Sequence, residues 1–468
     1  MILDREACAR IHLSALDVLR STGVRVDDEE VVRLLLDAGA RVLRDNVVAL
    51  PHHLVEWAIR QAPAKVPLAD RAGHLWELAA EGPTLVLTGN ALYVTRGRRR
   101  TELESSDLAE LARVVDACPH VDGMVGTSLA DVPPAGRDFA GLRIMASHTT
   151  KHLRPCIYTP EGARLVVEMA QVLAGGSPIR DRPVVSTGFS ILSPLHWSAL
   201  ALNVFKATAG HLMPVMINSE PLAGATAPVT LAGALVIGEA DVLSGLVINQ
   251  LLEPGRPCIF NIGFAHVMDM SSGLALTGSP ENALLHAGGA DLARFHGLPS
   301  AAWMSTESML PDSQAAFEKM ATGMAHAWSG VGLIWGAGNL ESTLAMSSEA
   351  LVIDDEIAAS FLRFQQGVPT DGEALGLDAI REVGLSGGFL GHPHTLKWHR
   401  QVLSRPLLAF RDRRMKWEST GCRSLEESAE LRVQEILSRE PTACLDDHQR
   451  AELARIESIG LASLPGPT

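Results

Sequence analysis

The residues of this chain that could do chemistry sit where hydrophobic runs end. The stretch INSEPLAGATAPVT leaves an apolar run through Asn218 and Glu220, then lays down Gly224, Ala225, Thr226 and Ala227 before any further charge. An amide and a carboxylate at such an exit can orient and neutralise a small polar ligand, and the small residues leave room for a ligand or another backbone to approach. Comparable exits place Asn90 and Tyr93, Ser190, Asn261, His266 and Asp269, Glu307, and Asn339 and Glu341 just beyond other runs. Aromatic residues make up only 4% of the chain, so their gathering at the same positions carries weight: Phe189, Phe264, Trp303 and Trp335 fall in or just after the runs, with Tyr93 and Trp197 beyond them. Ring faces are electron-rich, and a cluster of them holds a quaternary or protonated ammonium without a hydrogen bond from it. The alternative is that the rings only fill a core. GFLGHPHTLKWHR supplies His392, His394 and His399. No cysteine or carboxylate at ligand spacing completes a metal set with the H-x-H pair, so we expect it to bind a substrate carboxylate or order a loop rather than hold a metal.

Eight apolar or β-branched runs position these exits: TLVLTG (84–89), GMVGTS (123–128), PCIYT (155–159), PVVSTGF (183–189), MPVMIN (213–218), PCIFNIG (257–263), SAAWMS (300–305) and VGLIWG (331–336). Nearly every gap between them holds a helical segment such as ARLVVEMAQVLAG or PENALLHAGGADLARFHG. Runs that are apolar on both faces, each followed by a helix, specify parallel strands covered by helices. The expectation is an α/β chain folded as a (β/α)8 (TIM) barrel over residues 81–365, with its site at the C-terminal strand ends. An N-terminal helical extension (1–80) and a C-terminal helical segment (366–468) flank it. An open doubly wound sheet is the alternative, although no G-x-G-x-x-G fingerprint follows the first run.

With 468 residues, 47% of them hydrophobic, the chain can bury a large core. A net charge of -14 speaks against a nucleic-acid partner, which clustered lysines and arginines would bind. The six cysteines have no paired spacing, so neither a disulfide framework nor a thiolate zinc site is expected, and a reduced, cytoplasmic protein is the simple reading. MILDREACAR carries charge where a secretory signal needs an apolar run, and no uncharged stretch approaches a membrane-spanning length, so no membrane is expected.

Several longer stretches resemble the trimethylamine methyltransferase (MttB-like) family of corrinoid-protein-dependent methyltransferases: VLRSTGVRV, LLDAGARV, EPLAGATAPVTLAGAL, DMSSGLALTGSPENALLHA, WGAGNLESTLAMSSEALVIDDEI and FLGHPHTLKWHR. PLAGATAPVTLAG is the most specific of them. The resemblance implies a barrel, often a homo-oligomer, that holds no tight cofactor of its own and presents a methylated amine to the Co(I) corrinoid (cobalamin) of a small partner protein. Members acting on trimethylamine carry pyrrolysine in the barrel, whereas this chain is written in ordinary residues. The branch it resembles is then that of the glycine betaine:corrinoid methyltransferases, with a quaternary amine as substrate. Strand exits and family motifs together make Glu220, Asn218, Asp269 and Glu307 the expected catalytic groups. The expected substrate-binding groups are Tyr93, Asn261, Phe264, Trp303, Trp335, Glu341, His392 and His394, with no metal. Two other readings stay open: a betaine-binding protein that transfers no methyl group, and a different barrel enzyme such as a phosphate-dependent lyase, for which GAGN (336–339) is the weak phosphate-loop candidate.

Overall fold

Eight short parallel strands alternate with eight helices along the middle of the chain. The strands are β1 (Leu85–Thr88), β2 (Gly123–Val125), β3 (His152–Arg154), β4 (Thr187–Ser190), β5 (Val215–Asn218), β6 (Cys258–Asn261), β7 (Ala301–Trp303) and β8 (Leu333–Ala337). The helices are α1 (Ser105–Ala117), α2 (Arg137–His148), α3 (Pro160–Leu173), α4 (Ala199–Ala207), α5 (Leu231–Leu252), α6 (Pro280–Phe295), α7 (Ser313–Trp328) and α8 (Ser348–Gln365). The structure, a computed structural model, describes residues 1–385 and 387–464. Residues 386 and 465–468 of the expected C-terminal segment lie outside the described residues.

Hydrogen bonds join the strands in the order β3-β2-β1-β8-β7 and, separately, β4-β5-β6. Parallel bridges between Leu153 and Val185 and between Phe260 and Ser300 link the two groups and close the ring. These bridges select the barrel over the open sheet, which the apolar pattern alone left open: β1, β5 and β6 are buried along their whole length, as parallel strands covered on both faces must be in either architecture. Leu87, Val125, Met216, Ile259, Leu333 and Trp335 belong to the interior cluster. Side chains of Thr159, Ser198, Ser279, Asp312 and Ser347 cap the N-termini of α3, α4, α6, α7 and α8, so each of these exit loops ends at a defined residue.

Two elements differ from expectation. The third strand is His152–Arg154, just ahead of the PCIYT run. Pro155 has no N–H to give the ladder, so pairing stops there and the apolar run becomes an exit loop. The first 80 residues are not purely helical. Beside the helices Arg5–Ser21, Glu29–Asp37 and His52–Gln61, the strands Val24–Val26, Arg41–Arg44 and Val47–Ala49 form a four-stranded sheet with His196–Trp197, and Val66–Ala69 pairs with Leu75–Leu78. That sheet depends on a partner strand from the exit loop of β4, which local periodicity cannot reveal. Trp197 is consequently a core residue, its Nε1 donating to Ser244 Oγ at 2.9 Å.

The N-terminal helix is fastened to the barrel by His12. Its Nδ1 lies 2.9 Å from Glu239 Oε1 on α5 and its Nε2 lies 3.0 Å from Glu56 Oε1, while His296 after α6 approaches the same Glu239 oxygen at 2.8 Å. Helix α5 is long and apolar enough to cross a membrane, but here it is mostly buried within the protein and carries Glu239 and Asp241. Toward the C-terminus, Leu425–Ser438 and Asp447–Ala462 pack on the barrel through Ala429, Val433, Ile436, Leu453 and Ile456. Pro393–Val402 and Arg414–Ser419 bury no residue.

Candidate active site

The exit ends of the strands enclose a cavity of about 490 Å³. Glu220, Asn218, Phe264, Trp303 and Trp335, all expected site residues, line it together. The three rings pack against one another, with centroids 4.9 Å apart for Phe264 and Trp303, 5.3 Å for Phe264 and Trp335, and 5.8 Å for the two indoles. Such a cluster offers faces and edges of limited mobility to a bound group.

Glu220 stands two residues beyond β5, and its placement traces to a buried carboxylate. Asp241 on α5 accepts hydrogen bonds from Ser193 Oγ (2.6 Å), Ser219 Oγ (2.8 Å) and Leu195 N (2.8 Å), so it ties the loops after β4 and β5 together. Ser193 Oγ in turn accepts from Glu220 N at 3.1 Å. Burial pushes the Asp241 carboxyl up to about 6 against these donors. The surface of Glu220 opens into the cavity, yet protein crowds around the carboxylate and raises its pKa above the ordinary value, the Ser190 hydroxyl partly offsetting this. Asn261 is not a wall residue. Its Nδ2 donates to Asn218 Oδ1 at 2.9 Å and its Oδ1 accepts from Gly263 N at 2.7 Å, so it orients Asn218 from behind.

Four further wall residues extend the set. His266 lines the cavity, and burial pushes its imidazole down to about 4, leaving a neutral hydrogen-bonding group at pH 7. Cys156 donates through Sγ to Gly126 O at 3.1 Å, with burial pushing the thiol up. Ser190 borders Asn218, accepting from its Nδ2 at 3.3 Å. Arg154, the last residue of β3, is 5% exposed. Its Cζ lies 3.9 Å from the centroid of the Trp335 ring. A Cβ at Gly188 would come within 1.6 Å of its Nη2, so the glycine reserves space for the guanidinium.

Among the described residues Arg154 has no protein counter-charge. Its one hydrogen-bond partner among them is Met216 Sδ at 3.6 Å, and the ionisable groups beside it are the Cys156 thiol and the His152 imidazole, neither of them a carboxylate. Arg256 is equally buried but donates to Met213 O (3.0 Å), Thr208 Oγ1 (2.9 Å) and Phe205 O (3.4 Å), with Glu253 at 3.6 Å. Stacking a desolvated guanidinium on an indole contributes ~2 kcal/mol. Burying a cation costs several kcal/mol, so the Trp335 contact alone leaves Arg154 undercompensated.

The remaining expected site residues have other partners. Tyr93 sits in a strand paired with Ala345 and Glu102, with Arg100 Cζ 4.2 Å from its ring centroid. Glu341 is ion-paired to the same Arg100. Asp269 closes its own turn, accepting from Ser272 Oγ (2.7 Å) and Ser271 Oγ (2.8 Å), bonds that hold its carboxyl down to about 2. Glu307 accepts from Gly278 N (2.7 Å) and Thr277 Oγ1 (2.8 Å), pinning the loop before α6. His392 caps the helix Pro393–Val402, accepting from His394 N at 3.1 Å, and lies 3.0 Å from Glu382. His394 approaches Glu373 O at 3.3 Å. None of these six lines the cavity. Nor do Gly224 to Ala227: their tight turn, with Gly224 N donating to Ala227 O at 3.0 Å, follows Leu222–Ala223, which pairs with His266–Val267. Gly224 lies against the Met270 and Val229 side chains, while Ala225 and Thr226 are exposed.

Asn90, which also lines the cavity, was legible as a strand exit, as were Ser190 and His266. Arg154 and Cys156 were hidden by the expected strand at 155–159, which put Arg154 ahead of a strand rather than at its end.

The model of the family described as Trimethylamine methyltransferase (MTTB) matches residues 1–457. The chain belongs to the trimethylamine methyltransferase family. It is 31% identical over 430 residues to trimethylamine methyltransferase MttB of Desulfitobacterium hafniense (strain DSM 10664 / DCB-2), covering 90% of this chain and 86% of that protein. It is 31% identical over 461 residues to the glycine betaine methyltransferase of Desulfitobacterium hafniense (strain Y51), covering 97% and 95%. Of solved structures, the hydroxylamine complex of MtmB aligns with a TM-score of 0.55 at 12% identity, over 92% of this chain and 87% of that one. The Methanosarcina barkeri monomethylamine methyltransferase (MtmB) aligns at 0.52 and 12%, over 92% and 98%. These structural neighbours share the barrel fold. This member of the trimethylamine methyltransferase family is a methyltransferase built on a TIM barrel.

Proposed function

We propose that the enzyme demethylates a quaternary amine of the glycine betaine type and passes the methyl group to a corrinoid carried by a separate small protein. The observation that carries this reading is the joining of Glu220 with the Phe264, Trp303 and Trp335 rings in one cavity at the barrel mouth. A carboxylate and ring faces suit a permanently charged nitrogen, which offers no N–H to donate. The chain contains no pyrrolysine, and a quaternary nitrogen needs none: it leaves as a neutral tertiary amine when the N–CH3 bond breaks.

The fit to a corrinoid on a partner rests on the rim. Leu92, Leu192, Val229, Leu274, Met309 and Leu344 are exposed large apolar residues in the exit loops of β1, β4, β5, β6, β7 and β8. Apolar residues gathered around a cavity mouth mark a surface that docks another molecule. When docked there, the corrinoid supplies the Co(I) nucleophile that accepts the methyl group. The chain's own work is positional. Glu220 and the rings neutralise and immobilise the ammonium, Asn218, held by Asn261, fixes its surroundings, and together they aim one methyl group outward for in-line displacement. Neutral His266 contributes hydrogen bonding without adding positive charge beside the substrate.

The test is a panel of quaternary amines offered to the enzyme with reduced cobalamin. Methylcobalamin absorbance appearing with at least one of them is expected; absorbance with tertiary amines alone, or with no amine, would overturn the reading.

A further inference from the structure

We infer that Arg154 is an anion subsite at the base of the cavity, and that the substrate is a zwitterion whose carboxylate it receives. The inference of an anion rests on the site alone; that the other end of the substrate is an ammonium rests on the function proposed above.

The guanidinium is buried, lines the cavity and meets no carboxylate among the described residues. Arg256 shows what the fold does with a buried arginine that serves structure: it surrounds it with carbonyls, a hydroxyl and a nearby carboxylate. Arg154 has only a thioether, a weak acceptor. Its free donors form a planar fork suited to two oxygens of one carboxylate. Gly188 keeps the position clear where any side chain would collide with the fork.

Depth sets the direction of the substrate. Met216, the contact of Arg154, precedes Asn218 by two residues on β5 and shares its inward face, so the guanidinium lies ~5 Å deeper along the barrel axis than the strand end. Glu220 lies beyond that end. A carboxylate anchored at Arg154 therefore leaves the ammonium toward Glu220 and the mouth, the orientation that methyl transfer to an external acceptor requires. Arg154 also covers one face of Trp335, so that face is closed to the ammonium, and the deep position repels any ligand that brings only positive charge. Arg154 thus sorts carboxylated from uncharged tails.

The test is calorimetric titration of the full chain with glycine betaine, γ-butyrobetaine, choline and acetate. Wild type should bind one of the two betaines on the order of tenfold more tightly than choline, and should bind acetate saturably. Arg154→Met should abolish acetate binding and the betaine margin while choline binds as well or better, and Arg154→Lys should restore part of the margin. Removing an unpaired buried charge should also raise the melting temperature of the ligand-free protein, whereas loss of a structural arginine would lower it. Equal affinities for betaines and choline in the wild type would overturn the assignment. So would an Arg154→Met protein that is less stable and loses all ligands equally. Acetate binding that depends on Arg154, with no ammonium compound bound, would retire the quaternary-amine function and leave the anion subsite standing.

Discussion

At the scale of single residues, Glu220 carries the sharpest expectation. Among the described residues its carboxylate is the one acidic group in the cavity wall, and protein crowding raises its pKa. Glu220→Gln should lower methyl transfer to cobalamin at least about tenfold, on the order of 1.4 kcal/mol in the barrier. The shift also has a sign. Only the ionised form neutralises the substrate cation, so kcat/KM should fall as pH drops through the raised pKa, with the acid limb above the range of an ordinary glutamate. A pH profile of both proteins checks this, because the limb belongs to wild type and should vanish from Glu220→Gln. Tyr93 and Glu341 teach the complementary lesson, since Arg100 takes the ring face of one and the carboxylate of the other. A residue of the right type at the right strand exit is unavailable once a neighbour holds it.

Elements are held in place by buried charge. Lys319 on α7 pairs with Asp354 on α8 and donates to Gly336 O at 3.2 Å, while Asp354 accepts from Gly338 N at 2.7 Å, so the end of β8 is clamped between two helices. Lys319→Met leaves Asp354 buried without its counter-ion and should cost about 3–5 kcal/mol of stability in urea unfolding. The N-terminal extension is tied on by His12. Burial opposes its charging, but hydrogen bonds to Glu239 and Glu56 outweigh this and raise its pKa above 6.5 in the folded state. A raised folded pKa means that the stabilisation is complete below the unfolded value and is lost as pH rises through the folded one. Wild type should therefore lose stability across that interval on the alkaline side of 6.5, and His12→Gln should show a flatter curve in denaturant melts at successive pH values.

For the whole molecule, the distribution of apolar surface is informative. Six exit loops at the C-terminal strand ends present large apolar side chains to solvent. If this rim docks the corrinoid protein, Leu274→Glu together with Met309→Glu should weaken methylation of that partner by on the order of tenfold or more, through lost burial and repulsion at the interface. Transfer to free cobalamin, which needs no docking face, should persist. Comparison of the two acceptors with the same variant is the measurement, and an equal loss with both would mean that the substitutions damage the cavity instead.

Strand runs and helical gaps were enough to specify parallel strands covered by helices, because a strand buried on both faces has to be apolar throughout and has to be followed by a helix that returns the chain, and the family motifs favoured the barrel over the open sheet. They also brought Asn218, Glu220 and the three rings into view, since the residue type and its place at a strand end are both local properties. What the tertiary structure alone decided was convergence. Arg154 and Trp335 are far apart in the chain, and only closure of the ring puts a guanidinium on the indole face. His392 and His394 looked suited to a ligand, yet they cap and brace a helix that buries nothing. Burial, counter-charge and occupancy by neighbours are non-local quantities, set by contacts between strands and loops that no window of sequence contains.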